Sequence, residues 1–429
     1  MESYDLFLPC AAGVEPYLAA EVQRITGLGP VHVRAQRAGV AVRAVWSDVL
    51  RLNLYSRMAQ RVLIRLRVAP YRSEQDLYRT ASQVPWEDWF TPRQRFKVEL
   101  TAQHSPLTSL NFATLRIKDA VADRFRVKSA GVRPSVDTRT PDVRLFGHLT
   151  TDTLTLYIDT SGEPLFKRGW RVDKGEAPLK ETLAAAMIAA CGWFDGDADL
   201  LPLYDPCCGS GTIAIEAAQM ACNIAAGSRR RFAFEHFAGF QAEAWNAIKT
   251  EAIAAELVRD KDQKPIIFGS DVAHRMVDFA QRNAERAGVA DVIAFRGGDA
   301  LQRLPPVDVA HTGGGVLLLN PPYGERIDAG GVARGSLRAG APRDDHPGNA
   351  MAPSGGREQA QTEDGGDFFV QLASHWKKHY AGWTAWVLSP DPKLPGRMHL
   401  KAARRVPLFN GPIECRLMRF DLVAGRHAG

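Results

Sequence analysis

Asn320-Pro321-Pro322-Tyr323 closes an apolar run, residues 316–319, that reads as a buried strand. Ligands of open α/β sheets gather at strand carboxyl ends. The prolines lack N–H groups and favour extended backbone, so the Asn320 side chain and the Pro321 carbonyl are acceptors facing a cleft. Tyr323 adds a flat ring. Paired acceptors beside a ring suit an exocyclic amine on a planar base, held while its nitrogen attacks an electrophile. A rigid Pro-Pro turn after a core strand accounts for the same four residues, so a second motif has to decide.

That motif is Leu203-Tyr204-Asp205-Pro206-Cys207-Cys208-Gly209-Ser210-Gly211-Thr212, followed by a helix-like run at 213–226. A short strand, a glycine turn and a helix let backbone approach a ligand closely and offer it unpaired N–H groups. The segment from Gly209 to Ala214 also fits G-x-G-x-x-G/A, so a nicotinamide dehydrogenase competes. S-adenosylmethionine is favoured because Asp205 suits a cationic sulfonium better than a pyrophosphate, and because the Asn-Pro-Pro-Tyr strand end follows. The next acidic strand end, Asp271, also comes much later than the roughly 20 residues usual in dehydrogenases. Asp271 can accept both ribose hydroxyls of an adenosyl group, or cap the following helix. Asp299, in Gly297-Gly298-Asp299, can take the adenine amine or serve only as a turn residue.

Asp205 to Ala218, Asp271, Asp299 and Asn320 to Arg326 resemble the ordered motifs of Rossmann-like S-adenosylmethionine-dependent methyltransferases. With the opening at 5–15, Phe166-Lys167-Arg168-Gly169-Trp170-Arg171 and the segment 177–184, nearly the whole chain resembles THUMP-domain RNA methyltransferases, especially the bacterial guanine-N2 enzymes of 23S ribosomal RNA. The resemblance implies a ferredoxin-like subdomain at 1–68, a THUMP RNA-binding domain at 69–160, a connector at 161–178 and a Rossmann-like seven-stranded methyltransferase domain at 179–429. It also implies catalytic roles for Asn320, Pro321, Pro322 and Tyr323. The implied cofactor contacts are Lys180, Thr182, Asp205, Cys207, Gly209, Gly211, Thr212, Asp271, Asp299 and Asn320.

The chain has 429 residues and a formal net charge of +6. Residues 1–170 carry 24 Lys plus Arg against 17 Asp plus Glu, so the positive excess lies in the first part. Arg61, Arg65 and Arg67 alternate along a strand-like run, and Arg116, Lys118, Arg124, Arg126 and Lys128 punctuate a helix-like one. Each run alone could be a solvated face. Together, in a chain suspected of amine methylation, they point to phosphate contact with 23S rRNA or a large-subunit assembly intermediate. The six cysteines have neither metal-ligand spacing nor disulfide density. Acids stand where a secretory leader needs basic residues, and no apolar run reaches membrane-spanning length. The expectation is a soluble cytoplasmic protein with no metal and no membrane partner.

To position these residues, the chain must fold as small α+β units before residue 160 and as alternating strands and helices thereafter. Residues 223–264 form an insertion holding Arg229-Arg230-Arg231-Phe232, readable as an RNA contact or as a basic loop beside a core Phe. Residues 328–366, rich in Gly, Ala and Pro, read as a flexible insertion. Residues 404–409 and 413–422 form a terminal hairpin about Asn410-Gly411-Pro412. The favoured chemistry is in-line methyl transfer to an extruded guanine. Adenine-N6 methylation of RNA or DNA, or a noncatalytic ribosome-assembly role, are the alternatives.

Overall fold

The computed structural model describes residues 2–175, 178–194, 200–257, 265–308, 312–321 and 367–423. The chain divides into two compact units. Met1–Arg171, Lys180–Ala189 and Gln219–Arg259 make the first; Val172–Leu179, Ala190–Ala218 and Asp260–Gly429 make the second.

The first unit runs β1 (Ser3–Pro9), α1 (Glu15–Thr26), β2 (Val33–Gln36), β3 (Gly39–Val45), α2 (Trp46–Tyr55), β4 (Leu63–Pro70), α3 (Glu74–Gln83), β5 (Phe96–Ala102), α4 (Leu110–Lys128), β6 (Val143–Leu149) and β7 (Thr153–Asp159). These strands form one sheet in the order β2-β3-β1-β4-β7-β6-β5. β4 pairs with β1 through Ile64 and Leu63 and with β7 along its length, so the expected boundary at 68/69 falls inside a shared strand. A bulge between Arg65 and Arg67 shifts its register, and both side chains are exposed. Ser73 and Asp76 close a capping box on α3, and the Ser109 hydroxyl accepts the Phe112 N–H at 3.2 Å to start α4.

The expected connector is packed as far as Arg171. Arg168, 1% exposed, donates to the carbonyls of Leu165 at 2.9 Å and Arg57 at 2.6 Å. Ser161 accepts the Val62 N–H and donates to Asn53. The chain continues through α5 (Glu181–Cys191), β8 (Leu203–Asp205), α6 (Thr212–Ala221) and α7 (Ala242–Ala254). The insertion that carries α7 folds with the first unit. Arg230 donates to the carbonyls of Pro164 at 2.7 Å, Ser161 at 3.1 Å and Lys167 at 3.2 Å, and to that of Glu163. Burial lowers its pKa to about 10. Of the two readings of the Arg229–Phe232 run, Arg230 follows the second: its guanidinium stands 5.0 Å over the buried Phe232 ring and is a structural cross-tie that satisfies loop carbonyls.

The second unit adds β9 (Ile267–Asp271), α8 (His274–Ala287), β10 (Ile293–Gly297), β11 (Gly315–Leu319), α9 (Phe368–His379), β12 (Trp383–Ser389), α10 (Leu394–Arg397), β13 (Arg404–Asn410) and β14 (Ile413–Asp421). Its seven strands are ordered β10-β9-β8-β11-β12-β14-β13. The first five are parallel, and β14 runs antiparallel to β12 and β13. The terminal hairpin forms as expected, with Asn410 opposite Ile413. α9 starts at Asp367, whose carboxylate accepts the Phe369 N–H at 3.0 Å, and ends on Lys377, Lys378 and His379. Its Phe368, Leu372 and Trp376 bury against Leu317, Leu319 and Met418, which makes β11 rigid up to the start of the Asn-Pro-Pro motif. The insertion at 328–366 lies outside the described residues.

Arg230→Ala should leave several part-buried and exposed loop carbonyls without their donor and cost about 1–3 kcal/mol. Urea unfolding should show a lower midpoint with an unchanged slope; a midpoint equal to wild type would refute the cross-tie.

Candidate active site

Asp205 ends β8, Asp271 ends β9, Asp299 follows β10 and Asn320 follows β11. All sit at the carboxyl edge of the parallel sheet. β9 and β10 extend to one side of β8 and β11 lies on the other, so this is the topological switch point. Pairing of Val316 with Leu203 and of Leu317 with Tyr204 brings the two motifs side by side.

Between β8 and α6 the loop turns on two left-handed glycines, Gly209 (φ 53°) and Gly211 (φ 86°). Gly211 is required twice over, because a Cβ there would also meet the Ala280 Cβ at 3.0 Å and the Phe295 ring at 3.1 Å. The Cys208 N–H donates to the Ser270 carbonyl at 2.8 Å, and the Tyr204 hydroxyl lies 2.6 Å from that of Ser270. Thr212, buried, opens α6. Both oxygens of Asp271 hold backbone: Oδ2 accepts the Gly209 N–H at 3.0 Å and Oδ1 the Ala273 N–H at 2.9 Å. The helix cap of α8 is Ala273, so Asp271 pins the glycine loop rather than capping the helix, and each oxygen retains a lone pair.

Buried acidic groups gather at this sheet edge, and burial pushes their pKa values upward. Asp205 is 2% exposed and accepts the Cys207 N–H at 3.1 Å; burial, with repulsion from Asp271, raises its pKa to about 8. Burial likewise raises Asp271. Burial and the charges of Asp205, Asp271 and Asp299 push the Cys207 thiol well above its ordinary value, and Cys208 is raised by burial with Asp205 and Asp271. The three carboxylates thus converge on one loop, and both thiols are neutral and poor nucleophiles. The carboxylate of Asp299 accepts the Leu301 N–H at 2.9 Å, in a local turn.

Cys207, Gly209, Gly211 and Thr212 share this edge with the three aspartates, Asn320 and Pro321. Pro322 and Tyr323 lie outside the described residues. Lys180 and Thr182 belong to the first unit, where the Lys180 ammonium stands 5.2 Å over the Phe166 ring and Thr182 is buried in the first turn of α5. Asn283 escaped the sequence reading. Its signal is an amide on the stripe Ala280, Asn283, Ala284, Ala287, every member of which is buried.

The basic residues divide. Arg61 is turned inward to the buried Asp159 at 2.5 Å and to the Gly162 carbonyl, and Arg124 grips Glu87 at 2.6 and 2.7 Å and the Ser82 carbonyl at 2.9 Å. Both guanidinium groups are thus ties within the fold, each held by a carboxylate in reach. Arg116 donates to Gln75 at 2.8 Å while lying over the Tyr78 ring. Arg65, Arg67, Arg126 and Lys128 are exposed, although Arg65 also pairs with Asp5 at 2.9 Å and Arg67 donates to Gln83 at 2.8 Å, and Lys118 is half-buried beside Asp119. Among the described residues, no cluster of His, Cys, Asp and Glu could hold a metal ion, and no helix is long and apolar enough to cross a membrane.

Three family models match in order: an RlmL ferredoxin-like domain at 5–63, a THUMP domain at 71–159 and an RMKL-like methyltransferase domain at 168–337. The Ribosomal RNA large subunit methyltransferases K/L of Psychromonas ingrahamii and Shewanella amazonensis are 36% and 35% identical over 98% of this chain. The chain spans about half the length of these relatives, 51% and 53%. A methyltransferase solved in complex with SAH is 25% identical, with a TM-score of 0.78 over 99% of each chain. A predicted N6-adenine-specific DNA methylase from Listeria monocytogenes is 27% identical, with a TM-score of 0.76 over 98% of this chain and 96% of its own. The second unit is a Rossmann-like seven-stranded methyltransferase domain, and ferredoxin-like and THUMP domains precede it.

The raised pKa of Asp205 sets a pH dependence. Its stabilising contribution is complete below the unfolded value of about 3.9 and is lost as pH rises through about 8, because across that window the folded chain holds a proton the unfolded chain has released. Asp205→Asn should therefore flatten the fall in melting temperature between about pH 4 and pH 8, and melt a few degrees above wild type at pH 8. Parallel wild-type and variant curves would refute the buried, protonated state.

Proposed function

We propose, for a chain that carries an RlmL ferredoxin-like, a THUMP and an RMKL-like methyltransferase domain, that it methylates the exocyclic N2 amine of a guanosine in 23S ribosomal RNA, with S-adenosylmethionine as donor. The observation that carries this reading is the meeting, at one sheet edge, of the Asn320-Pro321 strand end and a glycine loop beside buried carboxyl groups whose raised pKa values let a cation draw them into their ionised form. The donor set fits the group: Asp205 and Asp271 favour a cation, and Gly209 and Gly211 admit close backbone approach.

When bound, S-adenosylmethionine supplies an electrophilic methyl group on a positive sulfur. Asp271 would accept ribose hydroxyls on its remaining lone pairs, and Asp299 would take the adenine amine. The Asn320 side chain and the Pro321 carbonyl orient the amine hydrogens, which frees the nitrogen lone pair for in-line attack. Tyr323 would stack on the extruded base. The proton of the alkylated nitrogen becomes acidic, so the step needs no lysine-like base. Arg65, Arg67, Arg116, Lys118, Arg126 and Lys128 grip the transcript, whose target base costs a few kcal/mol to unstack. A ribosomal RNA or assembly-intermediate substrate sets this work in the cytoplasm.

The name of the Listeria monocytogenes structure keeps adenine-N6 methylation as the competing outcome. Labelled methyl transfer to 23S rRNA transcripts, followed by nucleoside analysis, separates the two; N6-methyladenosine as the product would overturn the guanine reading. Asn320→Ala should lower turnover by about 100- to 1,000-fold with RNA affinity unchanged, and undiminished turnover would remove its role. Replacing Arg126 and Lys128 with Glu should reduce the slope of log affinity against log salt by about one per lost phosphate contact. An unchanged slope would place the RNA elsewhere.

A further inference from the structure

Asn283 lies on the buried stripe of α8 and is 0% exposed, yet its amide is engaged on both sides. Nδ2 donates to the Ser210 carbonyl at 3.1 Å and to the Asp173 carbonyl at 2.8 Å. Oδ1 accepts from Arg286 at 2.6 Å and from the N–H groups of Val172 at 3.3 Å and Asp173 at 3.4 Å. The Asp173 carboxylate is in turn clamped by Arg282 at 3.0 Å and Arg286 at 2.5 Å. Hydrogen bonds from these two arginines lower its pKa to about 2. Met276, one turn into the same helix, reaches both neighbours: its Cε lies 3.2 Å from where a Cβ on Gly175 would stand and 3.9 Å from that of Gly209. The strap of residues 172–175 and the glycine loop are therefore fastened to one face of α8.

We infer that Asn283 is a positioning residue of the cofactor site, holding the Ser210 carbonyl, and with it the backbone N–H groups of the glycine loop, in register with the Asp173 strap. This inference rests on the methyltransferase reading. A loop hinged on two left-handed glycines has many conformers to lose on binding, and anchoring the carbonyl between them removes that cost beforehand. Only an amide serves here. A carboxylate cannot donate to two carbonyls, and an aliphatic side chain leaves four backbone groups unsatisfied.

The test is calorimetric titration of the full chain with S-adenosylhomocysteine. Asn283→Asp, the isosteric change, should weaken binding about tenfold or more while leaving rRNA-fragment affinity unchanged. Asp173→Asn, at a half-exposed site and so independent of core packing, should weaken it several-fold, and should add little once Asn283 is changed. If Asn283→Asp does not fold, Asp173→Asn alone decides. A lower melting temperature with ligand affinity within twofold of wild type would make Asn283 merely structural and overturn the inference. Wild-type protein that binds no S-adenosylhomocysteine would instead sink the cofactor reading, and this inference with it.

Discussion

Burial of the Asp205 carboxylate beside Asp271 is the constraint on which the second unit depends. Two acids at adjacent strand ends, raised by burial, are an expensive arrangement that packing alone would not call for. The fold keeps them because the strands that carry them are parallel and their carboxyl ends necessarily fall on one edge. Hydrogen bonds from Cys207, Gly209 and Ala273 offset only part of the cost. What remains is a free-energy deficit that a cationic ligand can relieve. Stability and ligand affinity are therefore opposed at the same atoms, and a substitution that favours one is expected to harm the other.

In the first unit the same physics acts with the sign reversed. Arg61, Arg168 and Arg230 are turned into the fold, where carbonyls of residues 161–167 and the Asp159 carboxylate receive them. Burial raises Asp159 to about 6 despite Arg61 beside it, so desolvation outweighs the ion pair there. Arg230 fastens the insertion of residues 223–254 to the segment 161–167, and Arg61 and Arg168 tie that segment to its neighbours. The cations left exposed lie on the bulged part of β4 and on the last turn of α4, which narrows the electrostatic footprint to fewer groups than composition implies.

Much of this was legible in the chain. The alternation of strand and helix, the terminal hairpin about Asn410-Gly411 and the glycine loop after Asp205 each follow from local rules that act over a few residues. Three features were not legible, for a common reason. The inward turn of Arg61 and Arg124 depends on Asp159 and Glu87, 98 and 37 residues away, and nothing local marks a distant carboxylate. Packing of the connector as far as Arg171 depends on Arg57 and Asn53. The allegiance of the insertion to the first unit depends on carbonyls upstream of Arg230. Charge runs report composition, whereas partner choice is a property of the tertiary fold. Asn283 is intermediate: its place on an apolar stripe was visible, but what it holds was not.

Register completes the argument. β8 and β11 meet through only two residue pairs, Leu203 with Val316 and Tyr204 with Leu317, yet that short ladder sets how far Asn320 stands from Asp205. A slip of one residue would turn every side chain of β11 to the opposite face and bury a polar strand end. The slip is opposed from the other side, where β11 pairs with β12 over five residues and packs Leu317 and Leu319 against α9. The distance between the proposed donor and acceptor sites is thus set less by the residues that make them than by an apolar core behind the sheet. Core substitutions at Leu317 or Leu319 should therefore be felt at the chemistry before they are felt in the fold.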